Sequence, residues 1–181
     1  DKWPKQCLPM GKIVGGLSEE AAKHLSLKEG TPVAQGGPDA FVGMLGLGCV
    51  RPGQLALITG SSHLHLAVSS NDATSQGIWG AYKGAPLPGM CFAEGGQSST
   101  GSMLRWCRDL LWGDKMSYSE ADAMAEGVEA GCEGLVMLET FQGSRTPVTD
   151  AQAKGAMIGL TLGHSKAHIW RAALESVCFG T

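Results

Sequence analysis

A chain of 181 residues is long enough to bury a real core but short for a two-domain enzyme. Hydrophobic residues at 43% and charged residues at 17% make an ordered globular protein the default, and a net charge of −3 argues against nucleic acid as the main partner. No run reaches the roughly 18 apolar residues of a membrane span and no cleavable signal is visible, so a cytoplasmic protein without a membrane partner is expected.

The 27 glycines imply many tight turns and close backbone approaches, as in α/β proteins that handle phosphates. The cysteines at 7, 49, 91, 107, 132 and 178 form no C-x-x-C pair and several sit in apolar runs, so reduced, mostly buried thiols are expected.

In chain order, residues 1–29 read as a loop, a short strand at Lys12 to Val14, and a helix with Ser18 as N-cap. Glu19 and Glu20 complement the dipole of that helix, and Ala21, Ala22, Leu25 and Leu27 give it an apolar side; His24 reads as a surface residue. Val33 and Ala34 lead into Gly36-Gly37-Pro38, a sharp turn, and Asp39 then stands where a helix over 40–47 would begin. Capping is the commoner role of such an aspartate.

Leu55 to Thr59 and Leu64 to Val68 are apolar, strand-length runs around Gly60-Ser61-Ser62-His63, which predicts a β-hairpin. His63 and His65 would share a strand face, but no third metal ligand stands near them. Residues 71–88 read as loop and short strand, Met90 to Ala93 as a strand, and Glu94 onward as a glycine-rich turn. The turn leads into an amphipathic helix over Ser102 to Trp112, with Met103, Leu104, Cys107, Leu110 and Leu111 on its apolar side. Such a junction gathers backbone N–H groups; the plainer alternative is a tight turn in which Gln97 and Ser98 bond the local backbone.

Ser117 to Glu129 predicts a second helix capped by Ser119, and Leu135 to Leu138 a buried strand. A last helix is capped by Ser165, with Ala167, Trp170, Ala173, Leu174 and Val177 inward. His164 and His168 are spaced like a metal pair but lack the glutamate of H-E-x-x-H, so helix-end and packing roles are expected.

Five stretches resemble the FGGY family of carbohydrate kinases. GTPVAQGGPDAFVGMLGLGCVRPG, from Gly30, is similar to the centre of that family, and the resemblance implies that Asp39 is the catalytic base. Gly60, Ser61 and Ser62 hold the place of the family's Gly-Thr turn, which meets the β- and γ-phosphates of ATP; serine replaces threonine and the hydroxyl is kept. E-G-G-Q-S-S-T-G, Glu94 to Gly101, resembles the pentulose-kinase branch, including the ribulokinase-like group, and implies that Glu94 contacts the sugar, a role a carboxylate suits because it accepts two hydroxyl hydrogen bonds. The Arg145-Thr146-Pro147 loop also matches, with Arg145 expected to fix the loop.

The C-terminal signature is the most specific, with Gly155, Met157, Gly159, Leu160, seven further residues, then His168, Ile169, Ala172, Ala173, Leu174 and Glu175 in place. The resemblance covers the chain from about Pro4 to Thr181. It implies an incomplete α/β, ribonuclease-H-like fold of the actin and hexokinase superfamily: residues 1–39 as the end of domain one, 40–181 as most of domain two, truncated before an adenosine-binding motif. It also implies ATP and Mg²⁺ as cofactors, a ketopentose or related polyol (ribulose- or ribitol-like) as acceptor, self-association as is common in such kinases, and little activity in this segment alone. Xylulose and glycerol stay open as substrates. Two other classes remain: a non-catalytic scaffold on a degenerate FGGY core, and a metal-dependent hydrolase using His63, His65, His164 and His168.

Overall fold

A computed structural model describes residues 2, 4, 5, 7–72 and 74–181; the loop expected at the start of the chain lies partly outside these. The chain first forms a small antiparallel pair, β1 (Ile13–Gly16) with β2 (Pro32–Ala34), enclosing helix α1 (Glu19–Leu25). Ser18 caps α1 as its sequence predicts, its Oγ accepting the Ala21 N–H at 3.2 Å. The expected apolar side is only partly used: Ala22 is buried, whereas Leu25 and Leu27 are more than half exposed.

Helix α2 (Asp39–Gly46) then leads into a four-stranded antiparallel sheet, β3 (Leu55–Thr59), β4 (His63–Ser69), β5 (Trp79–Lys83) and β6 (Cys91–Gln97), in spatial order β3-β4-β6-β5. The β3-β4 hairpin forms where its apolar runs suggest, with β3 as expected and β4 one residue longer at each end, so that His63 pairs with Thr59 rather than lying in the turn. Strand β6 corrects the sequence reading. It does not end at Ala93 but continues through Glu94, Gly95 and Gly96 to Gln97, paired along its length with β4. The glycines serve close approach here: a Cβ on Gly96 would meet the His63 carbonyl, and Thr146 packs against the same backbone, its Oγ1 accepting the Gly96 N–H at 2.8 Å.

On one face of this sheet, Ala40, Phe41 and Met44 of α2 bury against Ala56, Leu66, Val68 and Phe92. Phe41 meets Tyr82 and Phe92 edge-on, at centroid distances of 5.5 and 6.2 Å.

A second core joins α3 (Gly101–Trp112), α4 (Tyr118–Glu126), the β7 (Val136–Leu138) and β8 (Ala156–Ile158) pair, and α5 (Lys166–Gly180). Two helix details depart from expectation. The cap of α4 is Ser117, not Ser119, because Glu120 stands at the third helical position from Ser117 and closes a capping box, its Oε2 accepting the Ser117 N–H at 2.9 Å. On α3, Met103 and Cys107 are buried but Leu110 is 63% exposed, so the apolar stripe is wider than the surface covering it. Cys49, Cys107 and Cys132 are buried, Cys91 is half-buried, and Cys7 and Cys178 are exposed, so burial reaches half of the thiols and not most of them. Burial pushes the Cys107 thiol up to about 11, and burial with the neighbouring Glu175 does the same for Cys132.

Glu175 on α5 joins that helix to the loop before β7, accepting the Gly131 N–H at 3.1 Å and Arg171 Nε–H at 2.7 Å. Burial alone would raise its pKa, but the Arg171 hydrogen bond and the Gly131 N–H outweigh burial and hold it below the ordinary carboxylate value. In the acid range the unfolded chain therefore binds more protons than the folded one. The stabilisation is present above the unfolded value near 4.5 and is lost as pH falls through the lower folded value. Glu175→Gln is expected to cost about 2 kcal/mol at neutral pH and progressively less as pH falls below the unfolded carboxylate value, read from denaturant midpoints across the acid range.

Candidate active site

The start of α2 is set by Pro38, whose φ of −54° suits a helix entrance but whose side chain offers no oxygen to the orphan N–H groups. Asp39 follows as the first helical residue and not, as its sequence context predicts, the N-cap; its Oδ1 accepts the Ala40 N–H at 2.8 Å. A carboxylate in this first turn complements the positive end of the helix dipole and leaves the second oxygen free of that bond. The residue is exposed, whereas Ala40 and Phe41 behind it are buried, so the core anchors the helix while the carboxylate faces outward.

Facing Asp39 is the turn between β3 and β4. Asp39, Thr59, Gly60, Ser61 and Ser62 line one cavity of about 240 Å³, with Ala40, Ile58 and Leu64 as its apolar wall. Two of the segments singled out in the sequence, about twenty residues apart, are thereby brought together.

The turn is held from behind by the start of α3. Gly101 N–H and Thr100 Oγ1–H donate to the Gly60 carbonyl at 3.2 and 3.3 Å. Thr100 N–H, Ser102 N–H and Ser102 Oγ–H donate to the Ser61 carbonyl at 3.0, 3.2 and 2.8 Å. The N–H groups that the sequence places at this junction do gather, but on carbonyls of the neighbouring turn. Gln97 does not bond the local backbone in the way the plainer alternative expects: it is buried and reaches the end of α5, donating from Nε2 to the Val177 carbonyl at 3.1 Å and accepting the Thr181 hydroxyl at 2.9 Å. The hydroxyls that hold the turn are those of Thr100 and Ser102, which the sequence expectation does not single out; their signal is the S-S-T-G-S run at the start of an amphipathic helix.

Glu94 is not among the residues lining the Asp39 cavity. It stands mid-strand on β6, opposite Leu66 of β4 and Trp79 of β5. Opposed residues share a sheet face, so this register puts Glu94 on the side that α2 covers, in line with Phe92. Tyr82 is its neighbour there: burial, then the Glu94 charge, raise the phenol above its usual pKa. On the reverse side of the sheet, a second cavity of about 270 Å³ is bordered by His65, Gly95, Thr146 and Thr181 as well as Glu94. His65 Nε2 is buried there with no hydrogen-bond partner among the described residues, and burial together with His65 lowers the pKa of His63.

The loop after β7 is closed by paired backbone bonds between Ser144 and Asp150, at 2.8 and 3.0 Å. Thr146, rather than Arg145, fixes this loop to the sheet, accepting the Gly96 N–H and donating to the Gly96 carbonyl at 3.1 Å. His164 and His168 serve the entrance of α5: His164 Nδ1 accepts the Thr161 N–H at 2.9 Å, and His168 Nδ1 accepts the Ser165 N–H at 3.2 Å.

The fold is the α/β fold of sugar kinases, present in part. A xylulose kinase structure from Rhodospirillum rubrum superposes with a TM-score of 0.77 at 32% identity, covering 94% of this chain and 34% of that one. A gluconate kinase from Lactobacillus acidophilus shares the fold at a TM-score of 0.81 and 21% identity, over 96% of this chain and 35% of that one. Within that class, residues 55–181 match the C-terminal domain of the FGGY family of carbohydrate kinases, and the chain belongs to that family. Among curated proteins it is 31% identical to a ribulokinase of Shouchella clausii over 96% of its own length. It spans about a third of that relative, 33% of its length.

Proposed function

We propose that the protein to which this chain belongs is an ATP-dependent kinase of a ketopentose, with Asp39 as general base toward the acceptor hydroxyl. The observation that carries this reading is the shared cavity: a carboxylate and a Gly-Ser-Ser turn face the same space. Phosphoryl transfer asks little covalent chemistry of a protein; it requires an acceptor hydroxyl near a base and in line with a phosphate held by N–H and hydroxyl donors. Asp39 is free to take the proton of the attacking hydroxyl. Gly60, Ser61 and Ser62 are assigned to the β- and γ-phosphates of ATP, and Glu94 to the hydroxyls of the sugar. Glu94 lies outside the Asp39 cavity, so the sugar is assigned the ground between them, along the face that carries Tyr82.

Mg²⁺ is assigned to the nucleotide, where it would neutralise phosphate charge. Residues 1–39 are assigned to the end of one domain and 40–181 to most of a second, consistent with β1, α1 and β2 bonding among themselves while α2 opens the first large core. Names among the relatives, ribulokinase and xylulose kinase, both point to a ketopentose.

The test is coupled ADP release by the full-length protein with ribulose, xylulose, ribitol and glycerol. A ketopentose is expected to give turnover. A folded protein that turns over none of them would overturn the kinase reading in favour of a non-catalytic scaffold.

A further inference from the structure

We propose that Thr100, Gly101 and Ser102 at the start of α3 are positioning residues that aim the amides of the Gly60-Ser61-Ser62 turn at the nucleotide phosphates. The inference rests on the kinase reading above and adds to it a segment that itself borders no part of the Asp39 cavity.

Five donors from α3 converge on two carbonyl oxygens, those of Gly60 and Ser61. In a trans peptide the C=O and the following N–H point in opposite directions. Fixing the Gly60 carbonyl on α3 therefore turns the Ser61 N–H away from α3, and fixing the Ser61 carbonyl does the same for the Ser62 N–H. The cavity shared with Asp39 is lined by these same residues. Among the described residues, none accepts a hydrogen bond from the backbone N–H of Gly60, Ser61 or Ser62 outside the strands. A carbonyl that accepts hydrogen bonds also polarises its own peptide, so each clamped C=O makes the N–H on its far side a better donor to an anion.

The positive end of α3 thus acts through the turn. Its own N–H groups are used on the Gly60 and Ser61 carbonyls, and the partial charge is passed on by two oriented peptides. Gly101 is what permits the approach: a Cβ there would overlap the Gly60 carbonyl oxygen, and the nearest atoms belong to backbone that cannot swing aside. Thr100 is fully buried, which fixes the first donor pair, and Ser102 supplies the shortest of the five bonds, at 2.8 Å. Ser99 is a built-in contrast. It lies in the same run and is equally buried, but its hydroxyl donates to the Glu139 carbonyl at 2.5 Å, away from the turn.

The test uses the full-length protein with Gly101→Ala, Ser102→Ala, Ser102→Thr and Ser99→Ala, reading KM for ATP, KM for the sugar, kcat and thermal midpoint. Displacement of the turn by a fraction of an ångström is expected to raise KM for ATP about tenfold or more in Gly101→Ala, with KM for the sugar little changed. A smaller rise is expected in Ser102→Ala, reversed in Ser102→Thr, which keeps the hydroxyl. Ser99→Ala should lower the thermal midpoint and leave KM for ATP as it was. Unchanged ATP kinetics in Gly101→Ala and Ser102→Ala, or an equal change in Ser99→Ala, would overturn the inference while leaving the kinase reading intact. If Gly101→Ala does not fold, Ser102→Ala and its threonine rescue decide the matter alone. No turnover in the unmodified protein overturns both.

Discussion

Asp39→Asn in the full-length protein is expected to lower kcat by a factor on the order of 10² or more while leaving fold and sugar affinity nearly untouched. Asparagine has the size of aspartate and keeps an oxygen for the Ala40 N–H, so that hydrogen bond survives. What is lost is a carboxylate in the first turn of a helix, worth only about 0.3–1 kcal/mol of stability at an exposed position. Phe41 and Met44 still hold α2 on the sheet, because neither depends on the charge. The substitution therefore separates chemistry from scaffold better than alanine would. A variant that keeps more than a tenth of kcat would show that Asp39 opens the helix and does no more. A variant that loses kcat with a large fall in thermal midpoint would instead point to structural damage, against the assignment of a base.

The fold was legible where sequence pattern is local. The apolar runs around Gly60 define β3 and β4, Ser18 caps α1, and the typed positions from Gly155 to Glu175 mark the entrance and inner face of α5. What pattern could not supply was what lies across from each residue. Gly95 and Gly96 read as a turn because glycine usually marks one, yet they are strand residues, and at Gly96 the His63 carbonyl comes too close for a side chain. Both Ser117 and Ser119 can cap a helix, and only the position of Glu120 decides between them. Periodicity draws a stripe on α3 that includes Leu110, but among the described residues no element covers that side of the helix, and Leu110 is exposed.

The site divides in the same way. The resemblance implied roles for Asp39 and for the Gly60 turn from separate stretches, and the cavity they share is a fact of packing. Glu94 was expected within a turn at a helix entrance; in the sheet it stands opposite Leu66, two residues along from buried Phe92. The start of α3 was expected to offer N–H groups to a ligand and offers them to Gly60 and Ser61 instead. No local signal announces such a use, since the acceptors lie about forty residues back in the chain.

Trp170→Ala is expected to be the most destabilising single change in the second core, costing about 3–5 kcal/mol. The indole is fully buried between three helices. It meets Trp112 at the end of α3 edge-on, with centroids 6.1 Å apart, lies 6.2 Å from the Tyr118 ring on α4, and donates Nε1–H to Asp122 Oδ1 at 2.9 Å. Alanine removes all three contacts at once and opens a void that Met103, Cys107 and Ala121 cannot fill without moving their helices. Asp122 is exposed, so its carboxylate regains water and the cost is chiefly that of the void. Trp170→Phe separates the two effects: it keeps a ring against Trp112, loses the hydrogen bond at about 1 kcal/mol, and should fall between wild type and alanine. Denaturant midpoints of the three proteins measure the series. Because α2 and the four-stranded sheet form their own core, the alanine protein should retain KM for sugar below its transition. A cost under about 1 kcal/mol for alanine would mean that α3, α4 and α5 are held by something other than this ring.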